Sequence, residues 1–375
     1  MGTTMKKIML GVRMCGWLVI ALVTMELGAR TEDRLRHGAP FFGNYSLDSL
    51  YQYDGMGKWG KPNSSYLKWH MNDLGYRGPA MRNDGAYRIA CMGSSETFGL
   101  YESEQKEWPR QLETILNRRD GGQSFEVVDV AFPGMSVGTA VRRLPQVLST
   151  LAPKMVVVYA SYTPYIDRPV TQALPPPALQ PTSSPAPQVR ERFEPRLQGK
   201  VETLLKTALP AGLQMWIREW QVQRAIRGET VMSTLPQENI AAFRADLDTL
   251  VTQLQQHGVE VVLVTHATRF GKTLSADDHE YLTGWRKFFP TLTEEGLLDM
   301  EQRMSDAVRE EGRVRDVPVV DAAARLPPGP GNFVEFVHFT DAGAEGLAGL
   351  VADAVKPEAV RPQGVGEIYT TAALR

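Results

Sequence analysis

Five short apolar runs, alternating with stretches of helical periodicity, leave few folds open to this 375-residue chain. The runs are Tyr87 to Met92, Phe125 to Val130, Met155 to Ala160, Val259 to Thr265 and Val317 to Asp321. Short apolar runs bounded by turn residues fit strands buried on both faces better than helices. Between and after them, helical spacing predicts helices over Trp108 to Arg119, Val137 to Leu151, Asn239 to His257, about Gly296 to Glu311 and about Ala342 to Val355. Pro145 predicts a kink in the second of these. Strands separated by helices pair through crossovers, so the pattern predicts a three-layer α/β/α sandwich around a five-stranded parallel sheet. Ligands of such sheets sit at the carboxyl ends of the strands, which directs attention to the residues just past each run.

Past the first run stands Gly93-Ser94-Ser95-Glu96-Thr97-Phe98-Gly99-Leu100. A serine on a tight, glycine-flanked turn from strand to helix is held rigidly and exposed, as a nucleophile must be. Glycine and serine are also ordinary turn residues, so the stretch alone equally describes a plain turn. It resembles the first block, Gly-Asp-Ser-x-Thr-x-Gly, of the SGNH (GDSL-type) hydrolases, with Ser94 in the aspartate position and Ser95 in the nucleophile position. Two further stretches carry the resemblance. Gly134, in Ala131-Phe132-Pro133-Gly134, resembles the single glycine of the second block. Glu335-Phe336-Val337-His338 resembles the last block, Asp-x-x-His, with glutamate in the aspartate position. The resemblance covers roughly Arg88 to Val355 apart from one insertion. It implies the flavodoxin-like sandwich that the periodicity independently predicts, and a serine esterase or deacylase acting on carboxylic esters.

Acyl transfer through serine needs a base for the hydroxyl proton, a carboxylate to orient that base, and donors for the oxyanion. The resemblance assigns Ser95 as nucleophile, His338 as base and Glu335 as its orienter; glutamate serves as third member in known triads. The backbone amides of Ser95 and Gly134 are the expected oxyanion donors. The family's third block, Gly-x-Asn-Asp, supplies an asparagine donor, but the register here reads Ser161-Tyr162-Thr163-Pro164. The Thr163 hydroxyl is the expected substitute, with Tyr162 or Tyr165 as alternatives; a lost donor costs about 2.7 to 4 kcal/mol. His266, just past the fourth run, is read as a substrate contact or second choice of base. His37, His70, His257 and His279, the last in a charged loop, are read as surface residues.

Other chemistries fit less well. An α/β-hydrolase elbow would need glycine where Thr97 stands. A phosphate-binding loop would need lysine where Leu100 stands. No His, Cys and carboxylate cluster has metal-ligand spacing, so neither metal nor cofactor is expected. A formal net charge of -2 argues against a nucleic-acid partner, and Cys15 and Cys91 make no disulfide framework.

The remaining segments frame this domain. Residues 1–30 hold an apolar stretch, Ile8 to Met25, behind Lys6 and Lys7, and read as a membrane anchor or signal segment. A lysine pair on the cytoplasmic side puts the rest of the chain on the periplasmic side, and a cleaved segment would make it secreted. Residues 31–83 form an irregular, aromatic-rich lead-in whose aromatics are expected to cover the sheet's edge. Its phrase Asn72-Asp73-Leu74-Gly75-Tyr76-Arg77-Gly78 resembles the segment before the first block in membrane-anchored bacterial members of the family. The hydrolase-like domain spans 84–356, with an insertion at about 168–236 and a tail at 357–375. In the insertion, a proline-rich stretch from Pro169 to Pro195 is followed by an apolar run, Val201 to Ile226, that either caps the site or packs on the flank. Beside hydrolysis, the same residues admit acyl transfer to a sugar hydroxyl. A protein that keeps the fold only to bind envelope polysaccharide or an assembly partner is the reading from another class.

Overall fold

The computed structural model describes residues 2–119, 122–162, 165–166, 196–197, 199–201 and 211–355. A long helix, α1 (Gly2–His37), comes first. Two small antiparallel hairpins follow, β1 (Tyr51–Asp54) with β2 (Gly57–Gly60) and β3 (Ser65–Tyr66) with β4 (Trp69–His70). The alternating part then runs β5 (Tyr87–Met92), α2 (Ser95–Phe98), α3 (Trp108–Arg118), β6 (Phe125–Asp129), α4 (Val137–Leu151) and β7 (Met155–Tyr159). It continues with α5 (Ala211–Ala225), α6 (Gln237–Gln256), β8 (Glu260–Val264), α7 (Ala276–Arg286), α8 (Glu294–Arg315), β9 (Val319–Val320), α9 (Ala322–Arg325) and α10 (Asp341–Ala354).

The five strands β5 to β9 pair in parallel in the order β6-β5-β7-β8-β9. Alternate residues of each central strand enter opposite layers, as the two-residue period of a strand requires. Ala90, Met92, Val156, Val158, Val261 and Leu263 join α4, α6 and α8 on one face. Ile89, Cys91, Val157, Tyr159, Val262 and Val264 join α3 and α10 on the other. The order reverses direction between β5 and β7, and it is at such a switch point that open parallel sheets form their crevice. The loops after β5, β6 and β7 therefore share one end of the sheet.

Several elements depart from expectation for local reasons. The last strand has two paired residues in place of five: the Val317 amide turns back to Gly312 O to close α8, and Pro318 has no N–H to give. Pro145 lies within α4 without ending it. His279 stands on α7, not in a loop; Ser275 and Asp278 form a reciprocal cap that starts this helix.

The lead-in is more ordered than its lack of periodicity predicts. Its strands are too short to show a period, and long-range contacts hold them. Arg143 of α4 is fully buried, bonds both Asp54 carboxylate oxygens at 2.6 and 2.7 Å, and lies over the Trp59 ring. Arg77 forms an antiparallel bridge with Asp129 at the end of the outer strand β6. Further along, α5 packs on α7, while Trp285 of α7 stacks on Phe336 with ring centroids 5.2 Å apart. All of Pro169 to Pro195, part of Val201 to Ile226 and the tail lie outside the described residues. Among the described residues, one helix, Arg13–His37, is long and apolar enough to cross a membrane by length and composition.

Candidate active site

The end of β5 is shaped by its glycine. A Cβ at Gly93 would collide with the Thr97 side chain and crowd Tyr159 O, so only glycine lets the chain turn so closely against β7. The single helical turn α2 follows. Thr97 and Phe98 donate their amides to Ser94 O, and the turn closes at Gly99 in the left-handed region. The Ser95 amide precedes the first of these bonds and so has no partner within the turn. From Cys91 to Gly99 every residue is buried except Ser95, which is half-buried. The lead-in grips the far end of this turn: Trp69 Nε1 and Arg77 both donate to Gly99 O, at 3.1 and 3.0 Å. Arg77 is fixed in turn by its buried ion pair with Glu107 at 2.9 Å.

His338 sits in a tight loop closed by the Val334 amide to His338 O and the Thr340 amide to Asn332 O. Within it, Glu335 Oε1 lies 2.5 Å from His338 Nδ1 and also accepts from the His338 amide at 3.3 Å. The spacing of three residues therefore brings carboxylate and imidazole together. Nε2, on the other side of the ring, is buried and has no partner among the described residues. Burial alone would lower the His338 pKa, but the Glu335 hydrogen bond and the negative charges of Glu96, Glu335 and Glu102 raise it above the ordinary histidine value. Tyr101, half exposed, lies against the imidazole with centroids 5.0 Å apart. The neighbouring Glu102 is pushed up to about 7 by burial.

Three expected contacts are differently made. Ser95 Oγ donates to Glu96 Oε2 at 3.3 Å and makes no hydrogen bond to His338. The Gly134 amide, expected to be open for an oxyanion, donates to Ser94 Oγ at 3.0 Å. Both tyrosine hydroxyls are engaged elsewhere: Tyr162 shares a hydrogen bond with His266 Nδ1 at 2.7 Å, and Tyr165 donates to Asp246 and accepts from the Gly138 amide. Thr163 lies outside the described residues.

His266 belongs to a buried cluster beneath the turn rather than to a substrate-facing surface. Its Nδ1 faces Tyr162 and, at 3.1 Å, Glu301; its Nε2 lies 3.4 Å from Glu96 Oε1. Burial would raise Glu96, but the hydrogen bond and charge of His266 and the charge of His338 pull it down to about 2. Burial, reinforced by the charge of Glu96, pushes Glu301 well above the usual carboxylate range. Glu96 is thus a carboxylate shared by Ser95 and His266, and Glu301, its pKa raised by burial, lies behind them. Glu96 carries no signal of this in the sequence, because its partners come from α8 and from the ends of β7 and β8. No group of three or more metal-ligating side chains occurs among the described residues.

A three-layer parallel sandwich with a serine at its switch point and a histidine–carboxylate pair in the loop before its last helix is the class that fold and site define. No protein-family model matches the chain, and no curated protein matches it. Among solved structures it is similar to the lipase/acylhydrolase from Enterococcus faecalis, at 16% identity over 72% of this chain and 98% of that one, with a TM-score of 0.42. It is also similar to the acetyl xylan esterase AlAXEase, at 12% identity over 72% and 100% of the two chains, TM-score 0.40. For the psychrotrophic esterase EstA from Pseudoalteromonas sp. the figures are 9%, 72% and 96%, and 0.39. The likeness is one of fold.

Proposed function

We propose that the chain is a serine ester hydrolase of the SGNH type, with Ser95 as nucleophile, His338 as base and Glu335 as its orienter. The observation that carries this reading is the His338 imidazole, held by Glu335 on Nδ1 while its buried Nε2 has no partner among the described residues. Ser95 turns from Glu96 toward that nitrogen, and its oxygen attacks the ester carbonyl as the hydroxyl proton passes to Nε2. The oxyanion is met by the Ser95 amide and by the Gly134 amide released from Ser94, with the Thr163 hydroxyl as the third donor. Collapse of the intermediate breaks the carbon–oxygen bond, and the departing alkoxide takes the proton from His338. Water then repeats the cycle on the acyl-serine. An acceptor sugar hydroxyl in place of water would make the same residues an acyltransferase.

The apolar helix at the amino terminus, behind Lys6 and Lys7, supports an anchored protein with this domain outside the cytoplasm, acting on carbohydrate or lipid esters of the envelope. A second reading, a binding protein without turnover, is favoured by the two contacts that occupy the site at rest, Ser95 to Glu96 and Gly134 to Ser94. A serine-directed fluorophosphonate separates the two. The hydrolase reading expects labelling of the full-length chain in detergent that disappears in Ser95→Ala. Equal labelling of both would overturn the assignment of Ser95, and no labelling of folded protein would leave the binding reading.

A further inference from the structure

The Gly134 amide belongs to the peptide group whose carbonyl is that of Pro133, and that group is held on both sides. Phe132 to Met135 form a turn, closed by the Met135 amide to Phe132 O at 3.0 Å, with Gly134 at φ +82°. Proline in the second position and a positive φ in the third define a type II turn. Types I and II differ by roughly 150 to 170° in the two dihedrals flanking the central peptide, so a flip of that one group reverses the direction of its N–H. Lys58, on β2, donates from Nζ to Pro133 O at 3.1 Å and lies 3.9 Å from the centroid of the Tyr51 ring. Its backbone is pinned as well, since Arg143 donates to Gly57 O at 2.8 Å and Lys58 O at 3.2 Å.

We propose that Lys58 is a positioning residue for the oxyanion site: its ammonium fixes the Pro133–Gly134 peptide with its N–H toward the nucleophile turn, and polarises it. The proposal rests on the ester-hydrolase reading. A hydrogen bond from a charged donor is about twice as strong as a neutral one, and bonds in series through a peptide strengthen one another by perhaps 10 to 30%. Withdrawing electron density at the carbonyl oxygen makes the amide on the same peptide a better donor, which matters most once negative charge has formed on the substrate.

The test uses the full-length chain in detergent and reads both the fluorophosphonate labelling rate and kcat and KM on an activated acetyl ester. Lys58→Met, which keeps the apolar stem, is expected to lower kcat and the labelling rate by about 10- to 100-fold with KM within about twofold, and Lys58→Arg to recover most of the loss. Should the methionine variant fail to fold, Lys58→Gln, an uncharged donor, is expected to show a smaller loss confined to kcat. Reactive wild type with wild-type rates in Lys58→Met, or with kcat and KM changing together, would overturn the role of Lys58 and leave the hydrolase reading standing. Unreactive wild type would instead overturn the hydrolase reading itself.

Discussion

Two histidines flank the Ser95 turn, and the surrounding chain treats them in opposite ways. His266 has both ring nitrogens engaged, by Tyr162 and Glu301 on one side and Glu96 on the other, all inside the core. His338 has one nitrogen engaged by a residue of its own loop and the other left without a partner among the described residues. A base must have a nitrogen free to receive a proton, whereas a histidine saturated by buried partners fixes geometry and charge. Nearness to Ser95 is therefore a poor guide to the proposed role: His266 touches the residue next to Ser95, yet of the two histidines it is His338 that has a nitrogen without a partner among the described residues.

Exchanging each histidine for alanine breaks the comparison most directly. His338→Ala is expected to reduce turnover by on the order of a thousandfold or more with little change in melting temperature. His266→Ala leaves Glu96 and Glu301 facing one another in the core, and is expected to destabilise by about 3 to 5 kcal/mol. Thermal unfolding beside kinetics reads both; a His266 variant of wild-type stability, or a His338 variant of wild-type rate, would refute the division.

A sharper test is the pH dependence. On the proposed reading activity needs neutral His338, whose pKa in the folded protein is raised, so activity is expected to rise with pH along a limb centred above the ordinary histidine value. Glu335→Gln removes a carboxylate that raises it and leaves burial, which lowers it. The limb should move to lower pH, while loss of orientation lowers the plateau by roughly a hundredfold or more. A pH–rate profile with an unmoved limb would separate Glu335 from the titrating group. The smallest effect belongs to Ser94→Ala. It frees the Gly134 amide and removes only the resting acceptor, so kcat is expected within about threefold of wild type. A large loss on the same acetyl-ester assay would mean that the Ser94 hydroxyl itself serves the oxyanion.

What could be read from the sequence divides along the same line. The sheet was legible because β5, β6, β7 and β8 are apolar runs bounded by turn residues, and β9 fell short where the Val317 amide closes α8 and Pro318 has none to give. The His338–Glu335 pair was legible because both residues lie in one loop at a fixed spacing. The His266 cluster was not, since Glu96, Tyr162, His266 and Glu301 meet only after four separate segments have packed. Nor were the lead-in hairpins, whose strands hold by Arg143 and Arg77 and not by any pattern of their own.

The contacts made by the Ser95 turn and by the residues that follow it have a consequence for how the molecule assembles. Gly99 is held by Trp69 and Arg77 from the amino-terminal side, while Ser103 and Gln111 are tied to Asp341, 238 and 230 residues away. Contacts of such separation form late, because the entropy of closing a long loop must be met before they give anything back. The residues that follow the Ser95 turn are thus expected to acquire their final contacts near the end of folding. A chain cut short before α10 is expected to carry the proposed nucleophile and no working site, so a half-made copy of this protein is expected to be chemically silent.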